Sequence, residues 1–118
     1  MYEYGLDAVI VQDYGVFQFI YRNFPGLALH ASTQMSVANV AGAKFLMDHG
    51  AERIVTAREL SSAEIRRIYD ETGVEIESFI HGALCYLVIP DQCLMSSMLG
   101  GRSGNRGRCA QPVVLRDQ

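Results

Sequence analysis

The sequence predicts an α/β protein in which parallel βαβ units build about half of a TIM-type (β/α)8 barrel, followed by an irregular Gly/Cys/Arg-rich segment. Three observations carry this. Short apolar runs alternate with stretches of helical period at a spacing of roughly 20–26 residues, the signature of a parallel sheet with right-handed crossovers. Each apolar run stops at a polar cluster, where parallel α/β folds gather their ligand-binding groups. Beyond residue 81 both periods vanish: Gly100, Gly101, Gly104 and Gly107 fall within eight residues. Glycine costs about 1 kcal/mol in a helix interior and packs nothing in a strand. The expected division is therefore 1–80 for the barrel units and 81–118 for the irregular segment.

Residues 6–11 (LDAVIV) form a β-branched, nearly all-apolar run, as expected of a strand buried on both faces. Residues 14–24 have helical period, with Val16, Phe19, Ile20 and Phe24 on one face, and Pro25-Gly26 ends them. A second strand covers 27–31. A helix over 37–49 is closed by Gly50. Residues 53–57 (RIVTA) form the third strand. Ser61 or Ser62 caps a helix running to Thr72, with Ile65, Ile68 and Tyr69 inward and Gly73 at its end. The fourth strand covers 75–80. Four such units amount to half of a ~250-residue barrel, so an open sheet edge is expected to be covered by homodimerisation.

At 118 residues and 49% hydrophobic content the chain can form one core. No apolar run approaches the ~18 residues of a membrane span, and the acidic start (MYEYGLDAVIVQD) is unlike a signal peptide, so a cytoplasmic protein with no membrane partner is expected. A net charge of −3 argues against wholesale coating of nucleic acid. Three arginines and no acid between Gly101 and Leu115 nonetheless make a local anion-seeking patch.

The strand ends carry Gln12-Asp13, His30 with Ser32-Thr33-Gln34, Arg58-Glu59, and His81. Two readings are open: a shared ligand-binding rim including Gln12, Gln34, Arg58 and Glu59, or polar loops at a solvated edge. The thiols Cys85, Cys93 and Cys109 sit in the irregular segment. An odd number of cysteines in a cytoplasmic chain points to free thiols or metal ligands rather than to a disulfide framework. Thiolates ligate iron–sulfur clusters, normally four to a cluster; buried packing is the plain alternative. No HExxH, GxSxG or phosphate-loop lysine is present, which removes zinc-protease, serine-hydrolase and nucleotide P-loop chemistry. A nucleophilic Cys85 with His30 or His81 as base remains open, its thiolate favoured by nearby arginines. Arg102, Arg106 and Arg108 on a glycine-rich loop suit a phosphate or carboxylate, or else brace carboxylates such as Asp13 and Glu59. His49 sits where a cation favours the helix dipole.

Taken together, YGLDAVIVQDYG, LHASTQMSV with Asn39, ARELS, FIHGALC, QCLMSS and GGRSGNRGRCAQP resemble peptidase family U32, the collagenase-like proteases, over nearly the whole chain. The resemblance implies a (β/α)8-type barrel and, by the family label, peptide hydrolysis. Several similar proteins hydroxylate RNA bases or a quinone precursor and resemble iron–sulfur enzymes. By that resemblance Cys85, Cys93 and Cys109 occupy three of four cluster-ligand positions, the fourth lying downstream. The chain departs from the family in the YLVIPDQ loop between the first two cysteines and in Val113, where a further cysteine is common. Three functions follow: a U32 peptidase acting on peptides, iron–sulfur-dependent modification of RNA or another aromatic substrate, or a folded core that is inactive and without a cofactor.

Overall fold

A computed structural model describes residues 5–81. The chain divides between Leu84 and Cys85, and every described residue lies in the first unit. Strands β1 (Ala8–Val11), β2 (Ala28–Ala31), β3 (Ala51–Val55) and β4 (Glu75–Glu77) alternate with helices α1 (Tyr14–Asn23), α2 (Val40–Asp48) and α3 (Ser62–Thr72), and a 3₁₀ turn, Thr33–Met35, precedes α2. The strands form one parallel sheet in the order β1-β2-β3-β4. A doubly wound sheet reverses its order at a switch point. Consecutive order with crossovers of one hand instead puts every helix on the same side, as in part of a barrel.

The core confirms that one-sidedness. Phe17 from α1, Ala43 and Leu46 from α2 and Ile68 from α3 pack against Val11, Leu29, Ala31 and Ile54 of the sheet. Phe17, Leu29, Ile54 and Ile68 are the largest fully buried side chains. The β2–β3 register shifts between Leu29 and His30: Leu29 pairs with Ala51 but His30 pairs with Arg53, leaving Glu52 unpaired. The reason is legible in the spacing. Ala51 and Ile54 both belong to the core, yet residues three apart face opposite sides of a regular strand. The bulge absorbs the extra residue.

Caps fix the helix ends. The Asp13 carboxylate accepts from the Val16 amide at 2.8 Å, and the Asn39 side chain accepts from the Gly42 amide at 2.8 Å. Ser61 and Glu64 form a reciprocal capping box. Gly50 and Gly73 take positive φ just past α2 and α3. Gly50 is doubly constrained, because a Cβ there would run into the Tyr21 ring.

Several expectations are corrected. The first strand is shorter than 6–11 and is not buried on both faces, since Ile10 is 62% exposed. Phe17 is the buried residue of α1 and Ile20 packs against the core as expected, whereas Val16 and Phe19 are largely exposed and Phe24 lies outside the core. The run VFQFIY is apolar almost all round, so its period is ambiguous, and the Asp13 cap decides the phase. The second helix begins at Val40 rather than Val37, because Asn39 takes the cap and Val37 is buried in the preceding loop. In α3 the inward stripe is Ile65, Ile68 and Thr72, with Tyr69 half exposed. The third strand is 51–55 and not 53–57, and the fourth ends at Glu77, leaving Phe79 and Ile80 exposed. Among the described residues no helix is long and apolar enough to cross a membrane.

Two outcomes test this packing. Phe17→Ala should cost about 3–5 kcal/mol in urea unfolding, whereas Phe19→Ala should cost less than about 1 kcal/mol. Comparable losses would refute the assigned helix phase. The Glu64 carboxyl is held below its ordinary value of 4.5, first by the Ser61 hydroxyl and then by the Ser61 amide. A depressed folded pKa contributes stability above the unfolded value that is lost as pH falls through the folded one. The melting-temperature advantage of the wild type over Glu64→Gln should therefore be full at neutral pH and shrink below about pH 4.5; an advantage independent of pH would contradict it.

Candidate functional site at the carboxyl edge of the sheet

The carboxyl ends of the strands are tied into a common edge. The Ser32 amide donates to the Val11 carbonyl at 2.8 Å, joining the ends of β1 and β2. The Thr33 hydroxyl donates to the Thr56 carbonyl at 3.1 Å, joining the loop after β2 to the end of β3. Thr56 Oγ1 and Ser78 Oγ lie 2.7 Å apart, joining the ends of β3 and β4. The loop that begins at Ser32 makes the 3₁₀ turn over Thr33–Met35 and leaves it through Ser36, a non-glycine residue at φ 56°. Its Oγ is buried and lacks a hydrogen-bond partner among the described residues. The left-handed conformation, uncommon for a residue with a side chain, caps the 3₁₀ turn.

The predicted rim residues fall into three groups. Gln12, Arg58 and Glu59 are exposed at the edge, and Gln34 sits half-buried in the 3₁₀ turn. No ion pair joins Arg58 to Glu59 among the described residues, and Asp13 is occupied as the α1 cap. His81 is exposed four positions beyond the end of β4, so it does not sit at the strand terminus as expected. His30 lies one residue inside β2, half-buried, level with Ile10 on β1 and Arg53 on β3. Cys85, Cys93, Cys109, Arg102, Arg106 and Arg108 lie outside the described residues. Among the described residues no group of three or more His, Cys, Asp or Glu could hold a metal. His49 is not a site: its Nδ1 meets the Phe45 carbonyl at 2.6 Å, and its ring packs on Phe45 and Tyr14.

One group escaped sequence reasoning. Arg53 on β3 bonds Glu75 at 2.5 Å and Glu77 at 3.4 Å, and those two carboxylates share one face of β4. Its guanidinium is held above its ordinary value, chiefly by the hydrogen bond to Glu75. The side of the sheet away from the helices is thus charged, with His30 and Arg53 in adjacent register. The signal was present in Glu75-Ile76-Glu77, whose strict alternation marks a strand with only one apolar face.

The sequence profile of peptidase family U32 matches residues 1–116. The chain belongs to that family. It is 46% identical over 121 residues to the 23S rRNA 5-hydroxycytidine C2501 synthase of Escherichia coli, covering 99% of this chain and 18% of that protein. It is 39% identical over 103 residues to the tRNA hydroxylation protein P1 of Bacillus subtilis, covering 87% of this chain and 24% of that protein. It is 33% identical over 117 residues to a collagenase of Porphyromonas gingivalis, covering 90% and 27%. The chain thus spans between 18% and 27% of the length of these U32 relatives. No solved structure matches it.

The charged sheet face makes a prediction. Arg53→Gln leaves Glu75 and Glu77 side by side without their cation, so the urea midpoint should fall more at low ionic strength than at about 1 M salt, where surface charges are screened. An equal loss at both would mean that Arg53 acts by packing its stem and not by charge.

Proposed function

We propose that this U32 chain carries part of an enzyme that hydroxylates a pyrimidine base in ribosomal or transfer RNA. The observation that carries the reading is the 46% identity, over 99% of the chain, to a ribosomal RNA hydroxycytidine synthase. The tRNA hydroxylation protein of Bacillus subtilis, at 39%, points the same way. The expectation of peptide hydrolysis rests on the family label and on the collagenase at 33%, and is the weaker of the two.

On this reading the four units belong to a (β/α)8 barrel whose carboxyl edge receives the RNA base, in the cytoplasm. Hydroxylation replaces C–H by C–OH, a two-electron oxidation that needs an oxygen source and an electron acceptor. The donor chemistry fits an iron–sulfur cluster: Cys85, Cys93 and Cys109 supply three of the four thiolates usually required. Such a group, when bound, supplies electron transfer. The chain's own residues bind and orient. Arg102, Arg106 and Arg108 suit backbone phosphates, since guanidinium forks match their geometry and glycines admit close approach. Gln34 and Gln12 offer both donor and acceptor to the edge of an unstacked base. Arg58 and Glu59 lie exposed on the same edge, where a flanking nucleotide would pass.

Deleting the gene and quantifying RNA nucleosides by mass spectrometry tests this. One hydroxylated pyrimidine should disappear, return with the wild-type gene, and stay absent with Cys85→Ala, Cys93→Ala or Cys109→Ala. Each of those variants should also lose iron and acid-labile sulfide on anaerobic purification. An unchanged nucleoside profile, together with peptide cleavage abolished by Cys85→Ala, would replace this reading with the peptidase one.

A further inference from the structure

Thr56 is the buried polar residue of the described core region, 2% exposed, and it stands just past the end of β3. Each of its polar groups is committed to a different element. Its amide donates to the Glu77 carbonyl at 3.0 Å, prolonging the β3–β4 ladder. Its carbonyl accepts from the Thr33 hydroxyl at 3.1 Å, and its own hydroxyl pairs with Ser78 at 2.7 Å. The next amide, Ala57, donates to the Val37 carbonyl at 3.1 Å. The loop 32–37 is therefore pinned at both ends to residues 56–57, and pinned to β1 through Ser32. Between the pins lie Gln34 and Ser36, whose left-handed backbone persists only where its surroundings over-determine it.

Burial alone does not call for a hydroxyl here. Valine has nearly the same shape and would bury with no polar group to satisfy. Valine would keep the backbone bonds to Glu77 and Thr33 but lose the hydroxyl contact that holds Ser78, the first residue past β4. We infer that Thr56 is a positioning residue of the rim: it sets the distance between Gln34 on one side and the Ser78–His81 connection on the other. This rests on the RNA-hydroxylation reading for its substrate, though its structural content stands apart from it. Catalytic sites tolerate little misplacement, and a displacement of about 1 Å far from the chemistry can cost 10²-fold in rate.

The test uses Thr56→Val and Thr56→Ser in the full-length gene product, with two readouts. In amide hydrogen exchange, the valine variant should exchange about tenfold faster over residues 77–81, with the backbone-pinned loop 32–37 and the interiors of α1, α2 and α3 unchanged. The serine variant should restore protection. In steady-state hydroxylation of the RNA, the valine variant should lose about tenfold in kcat at unchanged KM, and serine should recover it. Wild-type-like exchange in the valine variant would overturn the inference, as would faster exchange spread through the helices or failure of serine to rescue. If the wild type hydroxylates no RNA, the functional reading falls, and the exchange pattern still decides whether Thr56 positions the rim.

Discussion

The register of β3 against β2 is the constraint on which the rest of this structure depends. Because Glu52 is bulged out, Ala51 and Ile54 can both enter the core although they are three residues apart. The same shift turns Arg53 to the opposite face, within reach of Glu75 and Glu77. It also sets which residue arrives at the carboxyl edge facing Ser78, and that residue is Thr56. Slipping the strand by one position would exchange every facing at once: the guanidinium would meet Phe17 and Ile68, and the isoleucine would meet two carboxylates. Core, charged face and edge are one decision.

That decision makes a sheet with two unlike sides. Helix-side rows are apolar and closed by Phe17, Leu46 and Ile68. The other side offers Ile10, His30, Arg53 and Glu75 in register. Among the described residues β1 and β4 each pair on one side only, so both edges still have ladder groups to offer. A closed barrel abolishes such edges and turns the non-helix side into an interior, where an arginine bonded to two carboxylates is better satisfied than a lone ion would be.

The parallel α/β class, the order of units and the helix ends at Gly50 and Gly73 were readable from the residues, because glycine caps and β-branched runs act locally. The α3 cap was readable as Ser61 or Ser62, and the reciprocal bonds with Glu64 decide for Ser61. The facing of side chains was legible only in part: Ile20, Ile65 and Ile68 turn inward as expected, but Val16 and Phe19 do not. In VFQFIY nearly every position is apolar, so no stripe stands out, and the phase is set by a cap seven residues before Ile20. In AERIV the bulge breaks the period that a reader relies on. The Thr33–Thr56–Ser78 connection spans more than twenty residues at each step, and hydroxyl residues in loops carry no spacing rule that would join them. The rim was legible as a set of strand ends, but the residue that holds those ends together was not.

The two stretches of the chain carry different residue types. Residues 5–81 supply caps and a bonded edge, and among them no group of three or more His, Cys, Asp or Glu could hold a metal. The cysteines and clustered arginines all come later in the sequence, on glycine-rich chain that has no helical or strand period. Gln12, Gln34, Arg58 and Glu59 stand on loops at the carboxyl edge, and the bonds from Ser32 to Val11, from Thr33 to Thr56 and between Thr56 and Ser78 fix the spacing of those loops.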